Sequence, residues 1–156
     1  MAEKILIPLD GSKVGEAAIP YVEELVKKMC PTTKVQVTLL QVLSSLSYYV
    51  VAGEASARVP YTEDEIEQMK KKARTYLRKT GEALKKAGAA VKVKVAVGHS
   101  VDEIIKAADD SKVDIIAMSS HGRSGLSRWA FGSVTDRVLR HGDLPVLVVR
   151  APKEDR

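Results

Sequence analysis

The sequence predicts a three-layer α/β domain built on an open, parallel, five-stranded sheet, and three observations carry that reading. Five short runs rich in Val, Ile and Leu recur, at residues 4–9, 34–42, 91–97, 113–118 and 144–150. Runs that are apolar on both faces suit parallel strands covered by helices on each side. Stretches with helical spacing lie between them, and strictly alternating strands and helices imply right-handed crossovers.

Each element has its own signals. After the first run, Ala17, Ala18, Tyr21, Val22, Leu25, Val26 and Met29 trace one helical stripe, with Ser12 as a candidate N-cap. After the second run, residues 43–61 mix Ser, Gly, Tyr, Val and Pro without a period. This segment reads as a long loop, mobile or used at an interface. A second helix follows through Ile66, Met69, Ala73, Leu77, Thr80 and Leu84. Thr62-Glu63-Asp64-Glu65 opens it with a capping box, in which hydroxyl and carboxylate satisfy each other's orphan amides. That helix begins acidic and continues basic, which complements its dipole, and Gly88 is a natural stop after Ala87. Ser100-Val101-Asp102-Glu103 fits a second capping box, ahead of the stripe Val101, Ile104, Ile105 and Ala108. The last helix is short, with Val134, Val138 and Leu139 as its apolar positions and Ser133 as a candidate N-cap. No repeat or linker divides the chain, so residues 1–156 read as a single domain.

Composition narrows the class. Hydrophobic residues make up 45% of the 156 and charged residues 29%, which excludes a disordered or low-complexity chain. No apolar run approaches the ~18–20 residues of a membrane helix. The stretch from Ile5 to Leu9 is too short for a signal-peptide core, and no small-residue cleavage site follows it. One cysteine, Cys30, cannot form an internal disulfide. With no Cys or His at ligand spacing it reads as a packed thiol. A soluble, cytoplasmic protein without a membrane partner is expected. Net charge is +5, and residues 70–94 hold ten Lys and Arg against one acid, Glu82. Such a segment permits an anionic partner. Aromatics total only 4%, and within the basic run only Tyr76 is aromatic, so nucleic acid is disfavoured.

In a Rossmann-like order 3-2-1-4-5, ligands bind beyond the carboxyl ends of the strands where the order reverses, between strands one and four. Two unusual loops leave these strands. The first is Pro8-Leu9-Asp10-Gly11-Ser12; the second is Ser119-Ser120-His121-Gly122-Arg123-Ser124-Gly125, which leads to Gly132-Ser133 at a helix start. Glycines let backbone amides approach a ligand closely. A helix beginning at Ser133 offers free N–H groups and a partial positive charge to a phosphate. The hydroxyls of Ser133 and Thr135 and the guanidinium of Arg123 could add donors. A tight surface turn with a capping serine is the plainer alternative. Neither G-x-x-x-x-G-K-[ST] nor a G-x-G-x-x-G after the first strand is present, which disfavours a P-loop NTPase and a standard dinucleotide fold.

These stretches carry a resemblance. Ile5-Leu6-Ile7-Pro8-Leu9-Asp10-Gly11-Ser12, the segment running from Met118-Ser119-Ser120-His121-Gly122 through Gly132-Ser133-Val134-Thr135, and Pro145-Val146-Leu147-Val148-Val149 are similar to the universal stress protein family over essentially the whole chain. Its ATP-binding members carry Gly-x-x-Gly, nine residues, then Gly-Ser/Thr. Here Gly122, residues 123–131 and Gly132-Ser133 fit, while Ser119 replaces the first glycine. Its Cβ restricts φ and can crowd a ribose.

The resemblance implies ATP or AMP as ligand. Pro8, Leu9 and Asp10 would line the adenosine pocket, Val42 would meet adenine through its backbone, and Met118 and Ser119 would sit against the adenosine. Gly122, Arg123, Gly132, Ser133, Val134 and Thr135 would surround the phosphates. For Asp10, Mg²⁺ binding beside the phosphates is the alternative to a nucleoside contact. Arg123, directly after Gly122, is favoured over Arg128 for phosphate. His121 has no acidic partner at a spacing that fixes catalytic geometry, so no catalytic residue is assigned. The final run, Leu144 to Arg150, would be an exposed edge unless paired, and the resemblance implies a homodimer through it. The expected function is a nucleotide-dependent regulator of the stress response. A slow ATPase or phosphotransferase, and a non-nucleotide interaction module of the same fold, stand as alternatives.

Overall fold

The structure is a computed structural model that describes residues 2–121 and 131–152. β1 (Ala2–Leu9) leads through a 3₁₀ turn at Val14–Glu16 into α1 (Ala18–Met29). Then come β2 (Lys34–Leu43), β3 (Ser47–Ala52), β4 (Ala55–Pro60), α2 (Glu63–Thr80), α3 (Glu82–Ala87) and β5 (Ala90–Val97). The chain closes with α4 (Ser100–Ser111), β6 (Ile115–Ser119), α5 (Ser133–His141) and β7 (Val146–Val149). The main sheet runs β5-β2-β1-β6-β7, and every pairing in it is parallel. Counting these five strands alone, this is the expected order 3-2-1-4-5.

Side-chain alternation along the strands builds the two outer layers. Ile5, Ile7 and Leu9 face Val22 and Val26 of α1, Leu77 of α2 and Leu84 of α3. Leu6, Leu40 and Ile116 face Val101, Ile104 and Ala108 of α4 and Val138 of α5. Leu6, Ile7, Leu39, Leu40, Leu77 and Leu84 have no exposed surface. The register places Leu9 beside Gln41, Val42 beside Ala96 and Ser119 beside Val149, so these strands finish along one edge of the sheet. Among the described residues no helix is long and apolar enough to cross a membrane.

Several local expectations are corrected. Residues 43–61 are not a structureless loop: β3 and β4 form an antiparallel hairpin in register from Ser47–Pro60 to Ala52–Ala55, turning at Gly53 with φ 63°. Tyr49 is 71% and Val51 70% exposed. Neither face of the ribbon enters the core, so no face had to be written into the sequence as a period. The long second helix breaks at Gly81, where a Cβ would come within 2.9 Å of Val91 Cγ1; glycine lets the chain lie close on β5. Ser100 is the first helical residue of α4, not its cap. His99 takes the cap position with no side-chain bond. The turn comes one residue earlier because Gly98, at φ 147°, donates its N–H to the Leu43 carbonyl at 3.1 Å. Likewise Gly132, not Ser133, occupies the N-cap of α5. Ser12 does not cap α1, whose N-cap is Ala17; its Oγ accepts the Gly15 N–H within the 3₁₀ turn at 3.0 Å. The Thr62 capping box and the left-handed Gly88, at φ 114°, form as the sequence predicts.

Candidate functional site

A cavity of about 460 Å³ opens at the carboxyl ends of β1, β2 and β6, against the starts of α4 and α5. Its floor is apolar: Leu40, Ile104 and Met118 also belong to the core beneath α4 and α5. Its polar side comes from the turn after β1 and from the start of α5.

Asp10 directly follows β1, and local bonds fix its carboxylate. Oδ1 accepts the Ser12 N–H at 2.9 Å and the Ser12 hydroxyl at 2.5 Å. Gly11 supplies the turn with φ 86°. Gly15 closes over the carboxylate so tightly that a Cβ there would sit 2.5 Å from Asp10 Oδ1. A non-glycine residue at position 15 therefore has to push the carboxylate out of place.

At the other wall, the first helical bond of α5 runs from the Asp136 N–H to the Gly132 carbonyl at 2.9 Å. The N–H groups of Ser133, Val134 and Thr135 precede that ladder, and among the described residues no side chain caps them. All three residues line the cavity. Free amides at the positive end of a helix dipole form a binding surface for an anion. The Thr135 hydroxyl is not a spare donor, contrary to expectation. It is buried and donates to the Ser119 carbonyl at 2.9 Å, which leaves its backbone N–H as its contribution. Ser119, standing where the sequence pattern would have glycine, turns its hydroxyl to structure. Oγ lies 2.9 Å from the Val14 carbonyl and 2.8 Å from the His121 carbonyl, and its single proton is shared between them. The side chain thus ties the two cavity loops together.

Of the residues singled out in the sequence, Pro8, Leu9, Asp10, Val42, Met118, Ser119, Gly132, Ser133, Val134 and Thr135 line this one cavity. Gly122 and Arg123 lie outside the described residues, as does Arg128. The lining also includes Gly15, Leu40, Ser100, Ile104 and His121. Two of these were within reach of sequence: Leu40 shares a strand face with Val42, and Ile104 follows Ser100 by one helical turn. Gly15 was not, because its role depends on where the Asp10 carboxylate comes to rest. Among the described residues no group of three or more His, Cys, Asp and Glu could hold a metal ion.

The architecture is that of a Rossmann-like α/β domain whose crevice joins a carboxylate turn to an uncapped helix start. A family model described as the universal stress protein family matches residues 1–150, and the chain belongs to that family. Universal stress protein MJ0577 of Methanocaldococcus jannaschii is 33% identical over 160 residues, spanning 96% of each chain. The solved structure of MJ0577 superposes with a TM-score of 0.74 at 29% identity, over 97% of this chain and 98% of that one. Two more distant structures share the fold. One is an Arabidopsis thaliana family member with AMP bound, with TM-score 0.65 and 15% identity over 97% of this chain and 94% of that one. The other is the Archaeoglobus fulgidus universal stress protein in complex with dAMP, with TM-score 0.59 and 15% identity over 96% and 98%.

Proposed function

We propose that this chain is an adenine-nucleotide-binding regulatory protein of the stress response that takes ATP or AMP in the β1–β2–β6 cavity. The observation that carries the reading is the pairing, in one cavity, of an apolar slot with three uncapped helix amides. Leu40, Val42, Ile104 and Met118 offer a base-sized apolar surface. The peptide edge of Val42 can pair with the base, and the held Asp10 carboxylate can accept from ribose hydroxyls. The amides of Ser133, Val134 and Thr135 receive the phosphate, with Gly122 and Arg123 as its further contacts. Distant family members with AMP and dAMP bound support the choice of base. In this reading occupancy changes the surface that partner proteins meet.

The reading includes a cytoplasmic location and a homodimer through β7. The two edges of the sheet support the dimer. β5 exposes Lys92 and carries Lys94, which guard an edge against pairing, whereas β7 reads Val-Leu-Val-Val. Mass spectrometry of what the purified protein releases on denaturation, followed by calorimetric titration with AMP, ATP and GMP, tests the ligand. Saturable binding of an adenine nucleotide with GMP weaker is the expected result. No binding of AMP or ATP refutes the reading. Sedimentation at micromolar concentration tests the dimer.

A further inference from the structure

We propose that His121 is a neutral hydrogen-bond donor to the phosphate of the bound nucleotide, its proton fixed on Nε2 by Ser120. The inference rests on the nucleotide reading above and adds a residue to its anion site.

Ser120 is buried, and its polar groups are engaged. Its N–H donates to the Val149 carbonyl at 2.8 Å, and its carbonyl accepts the Gly132 N–H at 2.8 Å. Its Oγ accepts the Ala151 N–H at 2.9 Å. A hydroxyl has one proton and two lone pairs. Among the described residues the acceptor given to that proton is His121 Nδ1, at 3.1 Å. If Nδ1 carried a proton instead, the buried hydroxyl proton would be left without a partner, an arrangement that folded proteins avoid. Ser120 therefore donates to Nδ1. A neutral imidazole that accepts at Nδ1 holds its proton on Nε2.

The place of the ring gives that proton a use. His121 lines the cavity, and among the described residues Nε2 has no hydrogen-bond partner. The Ser120 carbonyl holds the N-cap residue of α5, and His121 lines the same cavity as Ser133, Val134 and Thr135 at that helix start. The Nε2–H becomes one more donor to the same oxygens. Two of the three bonds that pin Ser120 come from outside the cavity, from the end of β7 and from Ala151 just beyond it.

Two measurements test this. Ring ¹⁵N shifts of His121 in the nucleotide-free protein should report Nε2 protonated and Nδ1 bare. The opposite tautomer overturns the proposal whatever the nucleotide affinity. AMP and adenosine are then titrated into the wild type, His121→Gln and His121→Asn, each with its unfolding midpoint checked. Glutamine can place an amide N–H near the position of Nε2–H, whereas asparagine reaches only the position of Nδ1. AMP affinity should stay within about threefold in His121→Gln and fall about tenfold or more in His121→Asn. Adenosine, which lacks the phosphate, should bind all three alike. Full AMP affinity in a folded His121→Asn, or equal loss for adenosine and AMP, overturns the proposal. A wild type that binds neither AMP nor ATP refutes the nucleotide reading, and the phosphate contact falls with it.

Discussion

The helices α2 and α5 begin with the same physical problem and treat it in opposite ways. Every helix start exposes N–H groups that have no partner within the helix. α2 supplies its own acceptors: the Glu65 N–H donates to Thr62 Oγ1 at 3.2 Å, and the Thr62 N–H donates to Glu65 Oε1 at 3.2 Å. α5 begins with a glycine cap that has no side chain to offer, and its first residues face a cavity. The difference separates a helix start that is finished by its sequence from one that an outside acceptor completes. Substitutions that exchange the two characters test that distinction.

The largest effect is expected from giving α5 the cap it lacks. Gly132 sits at φ −54°, ψ 153°, a conformation open to any residue, so Gly132→Asp can place a carboxylate over the free amides. It should strengthen the helix by ~0.3 kcal/mol. It should also weaken AMP binding by about 100-fold, through amides already taken and a like charge beside the phosphate. Calorimetry together with a urea unfolding curve reads both changes, which have opposite signs.

A smaller loss is expected at the other wall. Gly15→Ala sets a Cβ against Asp10 Oδ1 and should displace the carboxylate, lowering AMP affinity about tenfold. The fold should remain intact by circular dichroism.

Removing the cap of α2 supplies the control. Thr62→Ala should cost ~1 kcal/mol of stability and leave AMP affinity unchanged. A loss of affinity there would blur the distinction between the two helices.

The smallest effect belongs to α2 alone. Burial first, and then the charge of Glu16, push the Tyr76 hydroxyl up to about 12 from 10.0. The folded protein thus holds this proton more tightly than the unfolded chain. Stability that is intact below pH 10 is lost as pH rises through about 12. Tyr76→Phe should flatten that alkaline loss in urea midpoints measured across the same window.

Much of this frame was legible in the sequence because burial writes a pattern. Both faces of the central strands are covered, so Ile5 to Leu9 reads as a continuous apolar run, and Val35 to Leu40 is interrupted only by Gln36 and Thr38. The two cavity loops could be found because glycine, serine and aspartate gather after strands one and four, where the topology itself makes the crevice. The hairpin at 47–60 left no such mark, since neither of its faces meets the core. Sequence puts the helix starts at Ser100 and Ser133 one residue off because a serine looks like a cap wherever it stands, while Gly98 and Gly132 set the actual turn. Thr135 reads as a free hydroxyl because its partner, the Ser119 carbonyl, lies 16 residues away in sequence. Contacts of that kind come from tertiary structure and have no local spacing to betray them.

The most direct measurement follows backbone amide resonances during an AMP titration. The N–H signals of Ser133, Val134 and Thr135 should move to saturation with the ligand, while those of Glu63, Asp64 and Glu65 at the start of α2 should stay fixed. AMP that binds to saturation without shifting the three α5 amides, or that does not bind at all, would contradict that expectation.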